Sequence, residues 1–174
     1  MFRLLPETPK DRDEVELLLD TAFAPGRTAL SSYRLREGVA PVEGLCRIAR
    51  DDYDAVAGCI RFWPIRIGEA GHPALLLGPV AVHPTRQGEG LGALLIMNGL
   101  ERAREAGWTR VVLVGDEPYY RRFGFTREAA AAISFPPPTN PERLLARPLE
   151  PGAFDGVSGL VGRWTDAGRA ATMR

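Results

Sequence analysis

The stretch from Leu75 to Ala106, LLLGPVAVHPTRQGEGLGALLIMNGLERAREA, constrains the fold of this chain more than any other. Leu75 to Val82 is apolar apart from Gly78 and Pro79, with the length and β-branched content of a central strand. A proline there removes a ladder donor, so the strand is predicted to bulge or leave a neighbour near Pro79. Next comes Gln87-Gly88-Glu89-Gly90-Leu91-Gly92, with glycine at alternate positions. Without a Cβ the backbone turns tightly, and several N–H groups can face one anion. A helix follows directly, and its unpaired first-turn N–H groups and dipole favour negative charge. Strand, glycine loop and helix together make a phosphate cradle.

Two nucleotide-binding readings compete for this cradle. Gly88-Glu89-Gly90-Leu91-Gly92-Ala93 satisfies G-x-G-x-x-A, and Asp116 ends the next predicted strand, where a ribose-binding acid would stand. A dinucleotide fold, however, turns directly from strand to glycine, and here His83 to Gln87 intervene. It also needs further βαβ units for which the chain has no room. The second reading fits every position. Val80-Ala81-Val82, a short connection and Gln87-x-x-Gly90-x-Gly92 resemble the acyl-CoA signature Q/R-x-x-G-x-G/A of the GNAT superfamily of N-acetyltransferases. Downstream, Tyr119-Tyr120-Arg121-Arg122-Phe123-Gly124-Phe125 resembles the second signature of that family, an aromatic-rich short helix ending in G-F. GD-x-x-YY-x-RFGF with a later PGAF-x-G-x-x-G resembles the YhbS type of small bacterial GNAT proteins.

The resemblance implies an α/β protein with the GNAT-like acyl-CoA N-acyltransferase fold. That is a mixed sheet of about six to seven strands with helices on both faces. It implies residues 1–150 as the acetyltransferase domain and 151–174 as a C-terminal extension packed on it. The cosubstrate would be acetyl-CoA and the partner an amine acceptor, on a small molecule or a protein. By resemblance, Val80, Ala81 and Val82 belong to the cofactor-binding run: the N–H of Val80 would donate to the thioester carbonyl, and Val82 would pair with the pantetheine arm like an added strand. The N–H groups of Gly88, Glu89, Gly90, Leu91, Gly92 and Ala93 would hold the pyrophosphate, with Gln87 orienting the loop. Arg86 is a candidate for a phosphate contact, and Glu89 should turn its charge to solvent. Tyr120 stands where the family's acid tyrosine stands before its G-F pair, so it would both contact the cofactor and protonate the departing thiolate. Tyr119 is one position too early.

The base is not legible in the same way. The central strand carries no glutamate, which leaves His83 at its end, Asp116 at the end of the next strand, or ordered water. The missing base keeps a non-catalytic acyl-CoA-binding or sensing module open as the alternative function. His72 and His83 lack ligand spacing, so no metal is expected.

Elsewhere the pattern is ordinary. Phe2 to Leu5 reads as a first strand, and Thr8-Pro9 as N-cap and first helical residue. Val15, Leu18, Leu19 and Ala22 then give an amphipathic helix to Phe23. Pro25 to Thr28 should break it, and a second helix is predicted from Ala29 to Glu37. The GNAT resemblance implies that both helices border the acceptor side, with Arg34 and Arg36 as candidate contacts. Leu45 to Ala49 and Ala55 to Ile67 form a predicted hairpin, the second strand interrupted by Pro64. Arg61 and Trp63 share one face of it and Arg66 lies on the other. The helix after the cradle carries Leu91, Leu94, Leu95, Ile96, Leu100 and Ala103, with Gly107 just past its end. Thr109 to Val114 is a buried parallel strand. Glu128 to Ile133 and Leu144 to Leu149 are the last two predicted strands.

At 174 residues the chain is expected to form one domain. Its 22 Lys and Arg balance 22 Asp and Glu, so neither nucleic acid nor an anionic membrane is an expected partner. No apolar run approaches the roughly 20 residues of a membrane span. Cys46 and Cys59 read as buried free thiols, and the expected location is cytoplasmic. A monomer and a homodimer fit equally well.

Overall fold

The computed structural model describes residues 1–23, 27 and 31–165. Eight strands and four α-helices follow in order: β1 Arg3–Pro6, α1 Arg12–Ala22, α2 Ser31–Arg34, β2 Arg47–Arg50, β3 Val56–Ile67, β4 His72–Val82, α3 Leu91–Glu105, β5 Arg110–Val114, α4 Glu117–Tyr120, β6 Ile133–Ser134, β7 Leu144–Pro148 and β8 Gly159–Arg163. The sheet order is β1-β2-β3-β4-β5-β7, with β8 pairing β3 and β6. Only β4–β5 and β6–β8 are parallel, so the sheet is mixed, as expected. None of these helices is long and apolar enough to cross a membrane.

Pro9–Asp11, read as the first turn of the helix, is a 3-10 turn capped by Thr8, and α1 itself starts at Arg12. The backbone N–H and hydroxyl of Thr8 both donate to the carboxylate of Asp11, fixing the turn that leads into the helix. Val15, Leu18 and Leu19 then bury against Ile48, Cys59 and Ala81 on one face of the sheet. The expected break at Pro25 to Thr28 and the expected start at Ala29 fall outside the described residues, Arg27 apart. What is described of the second helix is the single turn α2, shorter than predicted.

Helix α3 covers the opposite face, and its buried stripe is Leu91, Leu95, Ile96, Gly99, Leu100 and Ala103. Leu94, which the periodicity puts in the stripe, is 45% exposed. Gly99 takes its place because the ring of Phe62 lies directly over it: a Cβ there would come 2.7 Å from Phe62 Cε2. The missing side chain lets helix and strand approach closely. Gly99→Ala is therefore expected to destabilise the protein by about 1–3 kcal/mol through overpacking. A urea midpoint equal to the parent's would contradict that packing. The helix ends as read, with Gly107 at φ +95° past its last turn.

Three expectations on strands change. β3 runs through Pro64, which falls between the segment paired with β2 and the segment paired with β8. There β3 has a neighbour on one side only, and a proline is tolerated at such an edge. Glu128 to Ala130 form a 3-10 turn rather than a strand, since an alanine run has no β preference to oppose it. Only Ile133–Ser134 is extended. Beyond Pro151, residues 159–163 add the eighth strand, beside Ile65 to Ile67.

The two cysteines are free and buried, and burial pushes their thiols up, to about 11 for Cys46 and about 12 for Cys59. Neither is a ready nucleophile near neutral pH.

Candidate active site

The site is a gap opened in the sheet by a single irregularity. β4 and β5 pair only at Leu75–Val111 and Leu76–Val112. Beyond that point β4 follows β3, whereas β5 follows β7 as far as Val114–Leu144. The β3–β4 register gives the cause. Ile60 pairs with Val80 and Phe62 with Leu77, so Arg61 stands opposite both Gly78 and Pro79. That is a bulge at the predicted proline, and it bends β4 away from β5. The indole N–H of Trp63 donates to the Gly78 carbonyl at 2.9 Å, satisfying an acceptor inside the irregularity.

The resulting cleft has a volume of about 350 Å³. One wall is Leu77 to Val80 and the other Leu113 to Asp116, with Tyr119 and Tyr120 at one side and Tyr33 and Arg36 at another. Val80 and Tyr120, distant in sequence, thus line one space.

At the end of β4 the cradle takes shape. The N–H of Thr85 donates to His83 Nδ1 at 3.2 Å, capping the 3-10 turn Pro84–Arg86. Gly88 and Gly90 have φ of +87° and +77°, with open space where a Cβ would be. Backbone conformation, not crowding, therefore favours glycine at these two positions. Gly92 has ordinary φ, and a Cβ on it would sit 3.5 Å from the Tyr119 hydroxyl and 3.7 Å from Val82 Cγ2. These are normal contacts, and they place Tyr119 and Val82 beside the first turn of α3. Gln87, Gly88, Glu89 and Gly90 are exposed, Ala93 is partly covered and Leu91 is buried toward the sheet. Gly58 on β3 leaves the space that Leu91 and Leu95 fill.

Arg86 has other partners than the phosphate contact considered for it. Its guanidinium donates to Glu89 at 2.8 Å and to Asp51 at 2.9 Å, and it lies over the Phe2 ring. Asp51 in turn accepts from the N–H groups of Ala55 and Tyr53. Those bonds, Ala55 foremost, and Arg86 hold its carboxyl below the usual range. The pair ties the glycine loop to the β2–β3 turn. Glu89 keeps an exposed side chain, neutralised by Arg86.

The tyrosines differ. Tyr120 is largely covered, edge-on to Tyr119 at 4.9 Å and to Phe125 at 6.1 Å. Its ring lies where a Cβ on Gly115 would be, 2.5 Å from Cε2, so the absence of a side chain at Gly115 seats it. Burial, reinforced by Tyr119 and Asp116, raises its pKa above the ordinary phenol value. Tyr119 is 38% exposed. Of the base candidates, Asp116 lines the cleft and lies 3.7 Å from Arg143. Nδ1 of His83 is engaged by the N–H and hydroxyl of Thr85. Among the described residues no cluster of His, Cys, Asp and Glu is arranged to hold a metal.

On the acceptor side, the structure separates residues that sequence reading grouped. Arg34 is exposed, whereas Arg36 lines the cleft. Arg61 and Trp63 do share a face, but Arg61 is bound by Glu7 and Glu16. Arg66 stacks on Trp164 instead. Tyr33 and Arg143 were not anticipated, and no local motif marks them; Gly115 stands in the GD-x-x-YY run, but its role as the seat of the Tyr120 ring was not read there.

The family model described as Acetyltransferase (GNAT) family matches residues 13–125. The uncharacterized N-acetyltransferase YhbS of Escherichia coli K12 is 31% identical over 155 residues, covering 89% of this chain and 92% of YhbS. The crystal structure of Escherichia coli YhbS in complex with CoA superposes with a TM-score of 0.80 at 29% identity, covering 93% of this chain and 89% of that one. A GNAT family acetyltransferase from Brucella melitensis in complex with acetyl-CoA gives a TM-score of 0.68 at 31% identity, covering 87% and 90%.

Proposed function

The chain belongs to the acetyltransferase (GNAT) family, and from that premise we propose that it transfers an acetyl group from acetyl-CoA to a primary amine by direct attack. The observation that carries this reading is the cleft between β4 and β5, with Val80 on one wall, Tyr120 beside it and the glycine loop at the end of β4. Relatives at comparable identity bind CoA and acetyl-CoA, which supports the same cosubstrate here.

In the proposed reaction the neutral amine adds to the thioester carbon, a C–N bond forms, the C–S bond breaks and CoA leaves. The amine nitrogen gives up a proton and the thiolate gains one. Holding both reactants together supplies much of the acceleration, about 7–11 kcal/mol when orientation is good. The Val80 N–H is the assigned donor to the carbonyl oxygen as it gains charge. The pantetheine arm lies along Val80, Ala81 and Val82 in the space β5 vacates. The N–H groups from Gly88 to Ala93 hold the pyrophosphate, Gln87 shapes the loop, and Arg86 braces it through Asp51 and Glu89. Tyr120 protonates the thiolate. Asp116 in the cleft, or water beside it, takes the proton from the amine.

The test is release of free CoA thiol from acetyl-CoA with a panel of primary amines, both small molecules and peptides. Amine-dependent release is expected. Acetyl-CoA binding with no amine-dependent release from any member would instead identify a binding or sensing module.

A further inference from the structure

Three arginines gather on the α1 and α2 side of the cleft, and two are neutralised within the protein. Arg27 donates to Glu16, to Asp20 and to the Tyr33 hydroxyl. Arg61 is bound by Glu7 and Glu16. Arg36 forms no salt bridge with a carboxylate among the described residues, and its buried Nε has no hydrogen-bond partner.

Its position is nonetheless fixed. The guanidinium carbon lies 4.2 Å from the centroid of the Tyr33 ring and 5.3 Å from that of Trp63. Nη2 is 3.6 Å from where a Cβ on Gly78 would be, so the fork of donors reaches the bulge that leads into Val80. Burial is the main influence on its charge and pushes its pKa down to about 10. Tyr33 opposes that, and Arg61 and Arg27 add to it. Arg36 thus stays a cation at neutral pH, covered by protein and facing the cleft.

We propose that Arg36 binds the carboxylate of a small amino-acid-like acceptor and so selects which amines reach Val80 and Tyr120. The inference rests on the acyl-transfer reading and narrows its acceptor. A covered cation without a counter-charge is unfavourable unless a ligand supplies one. The planar fork matches a carboxylate with two parallel hydrogen bonds, and stacking on two rings pre-sets its plane. A cleft of about 350 Å³ suits a small molecule. A lysine side chain would bring an ammonium toward Arg36 with nothing to offset the repulsion. A carboxylate paired with the guanidinium removes that repulsion.

The experiment compares glycine, β-alanine, 4-aminobutanoate and phenylalanine with their carboxamides as acceptors. The purified protein is assayed by CoA release. At least one acid is expected to exceed its amide at least tenfold in kcat/KM. In Arg36→Gln that preference should collapse, with KM for the acid rising and kcat changing less, and Arg36→Lys should restore part of it. As a readout free of turnover, the N-acetyl acids are titrated calorimetrically into the CoA-bound protein. The parent should bind one at least tenfold more tightly than its N-acetyl amide, and Arg36→Gln should not. Acids and amides used equally by the parent overturn the inference while acyl transfer stands. Failure of every amine to support turnover overturns the acyl-transfer reading, and the calorimetry alone then decides Arg36. Equal binding of N-acetyl acids and amides overturns its role there too.

Discussion

Replacing Tyr120 by phenylalanine is expected to lower kcat at least tenfold while the affinity for acetyl-CoA changes little. General acid catalysis contributes about 10²–10⁴ in rate, and the hydroxyl is all that the substitution removes. The ring seat survives, because it is made by the bare backbone of Gly115 and by the edges of Tyr119 and Phe125. Burial raises the phenol above its ordinary pKa, so Tyr120 is fully protonated at neutral pH. The departing thiolate, whose thiol has a pKa of about 8.5, is a weaker base than the phenolate, yet a positioned phenol can still deliver a proton as the C–S bond breaks. Tyr119 is the internal control. Its hydroxyl lies beside Gly92 at the start of α3, so Tyr119→Phe should be mild on kcat. If both phenylalanine variants turn over like the parent with a competent amine, the proton reaches sulfur from water and Tyr120 is structural.

What made this site legible in the sequence was local chemistry. Pro79 in an apolar strand announces a missing donor, and the structure answers with one residue of β3 opposite two of β4. Gly88 and Gly90 announce left-handed backbone, and both have positive φ. The strand–helix–strand unit follows from periodicity alone. Misreadings arose where a contact across the fold outweighs a local pattern. Leu94 fits the buried stripe of the helix by periodicity, but the Phe62 ring lies over Gly99 instead and Leu94 is left exposed. Arg34 and Arg36 are two residues apart and look equivalent, but only Arg36 lands against Tyr33 and Trp63, the latter from a distant strand. Arg86 reads as a free loop cation because its partner Asp51 is remote in sequence. Gly115 opens the GD-x-x-YY run, but nothing local tells its role, which is to leave room for the ring of Tyr120 placed against it.

The glycine loop offers the other large effect. Gly90→Asp is expected to weaken acetyl-CoA binding by at least about 2 kcal/mol, close to thirtyfold, if the loop holds the pyrophosphate. Position 90 suits this test because nothing lies within 4 Å of the new Cβ, so the substitution causes no clash. Its φ of +77° is one that Asp and Asn tolerate better than other side chains, which keeps the folding penalty small. Two effects act in the same direction. The carboxylate repels the diphosphate, by about 1–3 kcal/mol at 5 Å for effective dielectric constants between those of water and a protein surface. It also competes for the free N–H groups of the first turn of α3, which begins at the next residue. Gly90→Asn separates them, having the same shape and backbone tolerance without the charge. Asp should bind acetyl-CoA more weakly than Asn, and the gap should narrow as ionic strength rises. Calorimetry that finds parental affinity in a folded Gly90→Asp protein would place the pyrophosphate somewhere other than this loop.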